Sequence, residues 1–237
     1  MALPKIGIPT YELELPSTGK TVKYRPFVVK EEKVLLLALE SEDEKQIKIA
    51  VKDLIKNCVQ SRIKVDDLSS FDLEYIFLKI RAASVSEEIT MMVTCRDDNT
   101  TQMEVSIDLN EVKVVKPEGH TNKIMLDDHT GIVMKYPGMD RFVDSEFLNK
   151  DIKTDEIFDF IADSIDQIYN EEEVWDSSTT SKKEMKEFVE SLTAKQFEAI
   201  QNFYETMPKL IHEFAVVNPN TGVESTYTIE GLQNFFA

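Results

Sequence analysis

The sequence predicts an α+β protein in which small antiparallel β-hairpins pack with amphipathic helices in two lobes. Three observations carry this reading. Ile89, Met91, Val93 and Cys95 alternate with Thr90, Met92 and Thr94, and across RDDNTT the residues Met103, Val105, Ile107 and Leu109 alternate with Gln102, Glu104, Ser106 and Asp108. That period of two is the pattern of a half-buried antiparallel hairpin. Ile47, Val51, Leu54, Ile55 and Cys58 recur instead at helical spacing, with Cys58 on the inner face. Pro117-Glu118-Gly119 then breaks the pattern, so the boundary is drawn there. The expectation is a hairpin-helix-hairpin lobe over 1–117 and a mainly helical lobe with a C-terminal hairpin over 118–237.

The elements follow in order. Tyr11 to Leu15 pairs with Val22 to Phe27 across the turn PSTG. Phe27 to Val29 suits a strand, limited by Pro26. Glu31 and Glu32 fall in a first helical turn, where negative charge suits the positive end of the dipole. Val34 to Leu39 is apolar all round, so a cover over that helix is expected. Ser69 with Asp72 three positions on is a capping-box signal, before a helix buried through Leu73, Ile76, Phe77 and Ile80. Val112 to Val115 suits a short strand. Beyond the boundary, Lys123 to Leu126 and Ile132 to Tyr136 flank DDHTG as another hairpin. Phe158, Ile161, Ile165 and Ile168 form one helical stripe, with Asp155, Asp159, Asp163 and Asp166 largely elsewhere. Glu171–Glu173 and Asp176–Thr180 read as loop. Ser181 with Glu184 and Thr193 with Gln196 are further capping boxes. Phe197, Ile200, Phe203 and Tyr204 mark the last long helix, which Pro208 interrupts. Phe214 to Val217 and Val223 to Ile229 flank NPNTG as the closing hairpin, and Phe235 and Phe236 either pack on the domain or dock into a partner.

Composition excludes several function classes. The 237 residues are 42% hydrophobic and 30% charged, ordinary for a soluble globular chain with a real core. No run reaches the roughly 18 apolar residues of a membrane span, and no signal-peptide pattern opens the chain. Two distant cysteines make no disulfide framework, so a reducing cytoplasm is expected. The net charge of -17 argues against nucleic acid, whose phosphates need clustered Lys and Arg. The charge is also uneven. Met1–Leu39 carries six Lys or Arg against four Glu, whereas Asp140–Asp176 carries thirteen Asp or Glu against three Lys or Arg. Those regions could attract each other within the fold or between subunits, or the acid could simply keep the surface soluble.

No constellation for catalysis or metal binding stands out. The turns of the two long hairpins lie where zinc ribbons place Cys pairs, but only Cys95 is present, and a structural zinc needs four ligands. Cys58 and Cys95 read as small buried hydrophobes. His120, His129 and His212 lack metal-ligand spacing. There is no G-x-S-x-G elbow and no phosphate-cradling Gly loop. No cofactor is expected. The aspartates of the Asp155–Asp166 segment share a face that could hold a cation or work as acid and base, or could be solvated; without a Gly-bearing calcium loop the solvated reading is preferred. Asp155, Asp159 and Asp163 are then candidates for steering a partner. Tyr24, Arg25 and Phe27 are interface candidates because aromatics and Arg dominate binding hot spots, although strand aromatics also pack in cores and Arg25 could pair with an internal acid.

One resemblance emerges. The stretch GIPTYELELPSTGKTVKYRPFVVKEEKVLLLALES resembles the opening of the baseplate hub assembly proteins of T4-like contractile-tailed bacteriophages, through its short N-terminal tail, PSTG, YRPF and KEEK before a leucine-rich run. FDLEYIFLKIRAASV, FYETMPKL with the hairpin after it, and the closing GLQNFF are also similar to that family, while Pro117 to Ser191 matches in general character. The resemblance implies a non-enzymatic tail protein that assembles the baseplate hub through contacts with other hub or tail proteins. It places the protein in the host cytoplasm during assembly and in the virion tail. The alternative is a transient chaperone for a tape-measure or other hub subunit, absent from the finished virion, whose acidic helices shield a basic partner. A hydrolase or metal enzyme ranks last.

Overall fold

A computed structural model describes residues 6–139 and 154–231. The chain opens with β1 (Tyr11–Glu14), β2 (Thr21–Tyr24), α1 (Val29–Glu40), α2 (Glu44–Cys58) and α3 (Ser70–Ser84). There follow β3 (Glu88–Thr94), β4 (Gln102–Asp108), β5 (Lys113–Val115), β6 (Lys123–Met125) and β7 (Gly131–Met134). It closes with α4 (Thr154–Ser164), β8 (Ile165–Tyr169), β9 (Val174–Asp176), α5 (Lys182–Glu190), α6 (Ala194–Glu205), β10 (Lys209–Val217) and β11 (Glu224–Glu230). The architecture is mixed α+β with small antiparallel sheets.

Two compact units result: one of Met1–Asp67, Phe71–Val115 and Lys209–Ala237, the other of Leu68–Ser70 and Lys116–Pro208. The closing hairpin was expected within 118–237. In the structure β10 pairs with β5, Leu210 opposite Val114, which groups that hairpin with the first unit.

In the first unit, β1 and β2 pair with Tyr11 opposite Tyr24, their rings stacked at 5.6 Å. Gly19 turns the chain at φ 68, and its N–H donates to the Leu15 carbonyl at 2.8 Å; glycine adopts this left-handed conformation without steric cost. The expected strand at Phe27–Val29 does not form. Val28 is the N-cap of α1, and its N–H donates to the Glu31 carboxylate at 2.8 Å, so Glu31 starts the helix that the apolar run would otherwise extend as strand. The expected cover over Val34–Leu39 is only partial among the described residues. α1 packs on α2 and buries Leu35 and Ala38, while Val34, Leu36 and Leu37 remain exposed. Asp72 serves a longer reach than its sequence spacing suggested: its carboxylate accepts from the N–H of Ser17 at 3.0 Å and from the Ser17 hydroxyl, tying α3 to the PSTG turn.

The two long hairpins of this unit meet at their tips. The side-chain amide of Asn218 donates to both oxygens of Asp97 and to Asp98, each at 3.0 Å, and Thr221 donates to Asp97 at 2.5 Å. Tyr227 accepts from the Arg96 N–H, donates to the Thr94 carbonyl and lies under the Arg96 guanidinium at 4.7 Å. Cys95 is buried beneath, with Val216 and Tyr227. Polar contacts thus join two turns that would otherwise splay.

The second unit is a four-stranded sheet, β6-β7-β8-β9, with helices over one face. The helix expected to run through Ile168 stops at Ser164, and Ile165–Tyr169 forms β8. Ile165 and Ile168 are three positions apart, which in a regular strand would send them to opposite faces. A register shift between Val133 and Met134 pairs Gln167 with Val133 but Ile165 with Met134. That bulge turns both isoleucines into the core. Between the segments expected as loop, Val174–Asp176 forms the edge strand β9, pairing Trp175 with Ile168 and taking in Asp176, which was expected as loop. The capping boxes at Ser181–Glu184 and Thr193–Gln196 are both formed.

Gly131 sits opposite Tyr169, and a Cβ there would overlap the phenol ring. Gly131→Ala is expected to force Tyr169 off the sheet and to cost about 1 kcal/mol. The same substitution in a Tyr169→Ala background should cost less, as urea unfolding of the four proteins would show.

His120 is buried in this unit, stacked on Phe203 at 5.4 Å. Thr206 gives its hydroxyl proton to the Asn202 carbonyl, so it accepts from His120 Nδ1–H at 2.9 Å. Nε2 is then the acceptor for the Tyr136 hydroxyl at 2.9 Å, and the imidazole is neutral. Burial first, and Lys116 second, hold its pKa below the ordinary 6.5. The sign follows: the unfolded chain takes up this proton before the folded one, so the contribution is complete above pH 6.5 and is lost as pH falls below it. Unfolding free energy measured across that window should slope less in His120→Gln than in the parent.

Candidate functional site

The most tightly tied cluster lies where β2 leaves the sheet. The N–H of Arg25 donates to the Cys58 carbonyl at 3.0 Å, holding the end of α2 against the strand. Its guanidinium donates to Glu31 Oε1 at 2.6 Å and Oε2 at 3.0 Å, and to the carbonyls of Pro26 at 2.8 Å and Asn57 at 3.0 Å. The two side chains are 19% and 13% exposed. The planar guanidinium suits this forked contact, where a lysine offers a point charge. The hydrogen bond from Arg25 holds the Glu31 carboxyl below its usual range. Burial, reinforced by the Glu31 charge, pushes the Cys58 thiol up to about 12. Cys58 therefore remains a protonated, packed side chain, poorly suited to nucleophilic or metal chemistry.

The structure brings the sequence-predicted residues together as follows. Tyr24 and Phe27 are buried and Arg25 is committed to Glu31. In the second unit, Asp155, Asp159 and Asp163 do share a face of α4, but α5 answers it with lysines. Lys186 lies 2.8 Å from Asp159 and 3.8 Å from Asp155, and Lys182 lies 3.1 Å from Asp163. The hydrogen bond with Asp159 raises the Lys186 pKa. Asp155 and Asp159 keep their outer surfaces in solvent, while Asp163 is half-buried. Phe235 and Phe236 lie outside the described residues, as does much of the acidic stretch that begins at Asp140.

Sequence reasoning missed the apolar surface beside the Arg25 cluster. Val29, Leu36 and Leu37 of α1 are 79%, 51% and 55% exposed. Lys33 and Glu40 interrupt this surface at helical spacing, a sign that it faces water and not a core.

Among the described residues, no group of three His, Cys, Asp or Glu side chains is placed to hold a metal ion, and no helix is long and apolar enough to cross a membrane. Residues 8–237 match the family described as T4 bacteriophage base plate protein, and the chain belongs to that family. No curated protein and no solved structure matches it.

Arg25→Ala leaves Glu31 half-buried without its cation and is expected to cost about 3 kcal/mol. Arg25→Lys should recover only part of that. Urea denaturation of both variants, with a Glu31→Gln double variant showing less than additive loss, checks the assignment.

Proposed function

We propose that this baseplate-family chain assembles the hub of the phage tail baseplate through contacts with other hub or tail proteins, without catalysis. The family match across nearly the whole chain is the observation that carries the reading. The N-terminal stretch that resembles hub assembly proteins supports it, since its residues form the Arg25–Glu31 framework. A chain of this kind acts in the host cytoplasm during assembly and ends in the virion tail. A second reading, a transient chaperone for a tape-measure or other hub subunit, draws on the exposed carboxylates of α4, which suit a basic partner.

Mass spectrometry of purified virions separates the two. A stoichiometric signal supports the structural reading, whereas absence from virions together with loss of hub assembly in a deletion supports the chaperone. If the acidic face steers association, partner binding weakens with salt, because exposed charges are screened beyond about 10 Å at 0.1 M. Replacing Asp155, Asp159 and Asp163 together with Asn should slow association with hub proteins of the same phage. It should leave the fold intact, since each lysine pair it removes has one partner well exposed to solvent. An unchanged on-rate and salt dependence would remove the steering role.

A further inference from the structure

We propose that the outer face of α1 binds a second copy of this chain, the two helices antiparallel about a two-fold axis near Leu36 and Leu37. Val29, Lys33, Leu36 and Glu40 recur at spacings of four, three and four. With Leu37 they occupy an arc of about 100° on the helix. All five are exposed, opposite the buried Leu35 and Ala38. Exposed apolar side chains gathered on one helix face, as Val29, Leu36 and Leu37 are, mark interaction sites.

Charge identifies the occupant. The first half of the helix presents Lys30 and Lys33 outward; its end and the following turn present Glu40, Glu42 and Asp43. A two-fold axis between Leu36 and Leu37 relates each position to one the same distance beyond the axis on the partner helix. Lys33 and Glu40 are equally far from that axis, about 5 Å along the helix. Antiparallel packing therefore lays Lys33 of each copy beside Glu40 of the other, twice. Leu36 and Leu37 close on their own counterparts in the middle. Parallel packing would set lysine on lysine and glutamate on glutamate. The opposed helix dipoles favour the same arrangement. This inference does not depend on the hub assignment, because it rests on α1 alone.

Sedimentation equilibrium of the full chain over the micromolar to submillimolar range tests it. A reversible monomer–dimer equilibrium is expected. Lys33→Glu and Glu40→Lys should each weaken it about tenfold, since each sets like charges together at both ends of the contact. The double swap K33E/E40K should restore it. Leu37→Asp should abolish it while leaving the circular-dichroism melt of the dilute monomer unchanged. A chain that stays monomeric throughout, or a dimer unmoved by the single swaps, overturns the proposal. So does loss of binding to a different baseplate protein through these substitutions while the chain itself remains monomeric.

Discussion

The pairing of Arg25 with Glu31 is the interaction on which the first unit depends. Four segments converge on it: the end of β2, the start of α1, the last turn of α2 and the Pro26 bend between them. Glu31 has two uses, accepting from the Arg25 guanidinium and from the Val28 N–H. The same carboxylate therefore fixes where α1 begins and how α2 meets the hairpin. The Phe27 N–H, one residue before the Val28 N-cap, donates to the Ser84 hydroxyl at 2.9 Å, which ties the end of α3 into the junction. A half-buried pair of this kind adds little net stability over a well-packed apolar alternative. Its directional hydrogen bonds instead specify one arrangement of the four segments.

A framework so specified leaves α1 an outward face. Because Leu35 and Ala38 point to α2, the 3.6-residue repeat sends Val29, Leu36 and Leu37 the opposite way. For a member of a baseplate protein family this division makes physical sense, since an assembling subunit needs a rigid inner side to hold its outer side in shape. The acidic face of α4 follows a different rule. Lys182 and Lys186 neutralise part of it within its own unit, so the field a partner meets is weaker than the sequence charge implies.

The hairpin tips show how a small β-rich region is fastened by side-chain hydrogen bonds. Asn218 satisfies two aspartates at once, and Tyr227 bridges from one hairpin to the backbone of the other. These groups are turn residues, favoured locally because Asn, Asp and Thr bond nearby backbone. Their second use across the fold depends on where the turns come to lie.

The sequence by itself determined the α+β class, the hairpins at 89–109 and 214–229, the capped starts of α5 and α6, and the burial of Cys58, because each rests on a periodicity or a cap spanning few residues. It also showed the family resemblance through short motifs. Tertiary structure alone decided where Ile165 and Ile168 point, since a helical repeat and a bulged strand can both bury residues three apart and only pairing with β7 chooses between them. It decided that the closing hairpin joins β5, a pairing nearly a hundred residues distant that no local pattern encodes. And it decided that the leucines of α1 face water: their apolar character was plain, but which side of a helix is covered depends on the neighbours that arrive, and α2 covers one side.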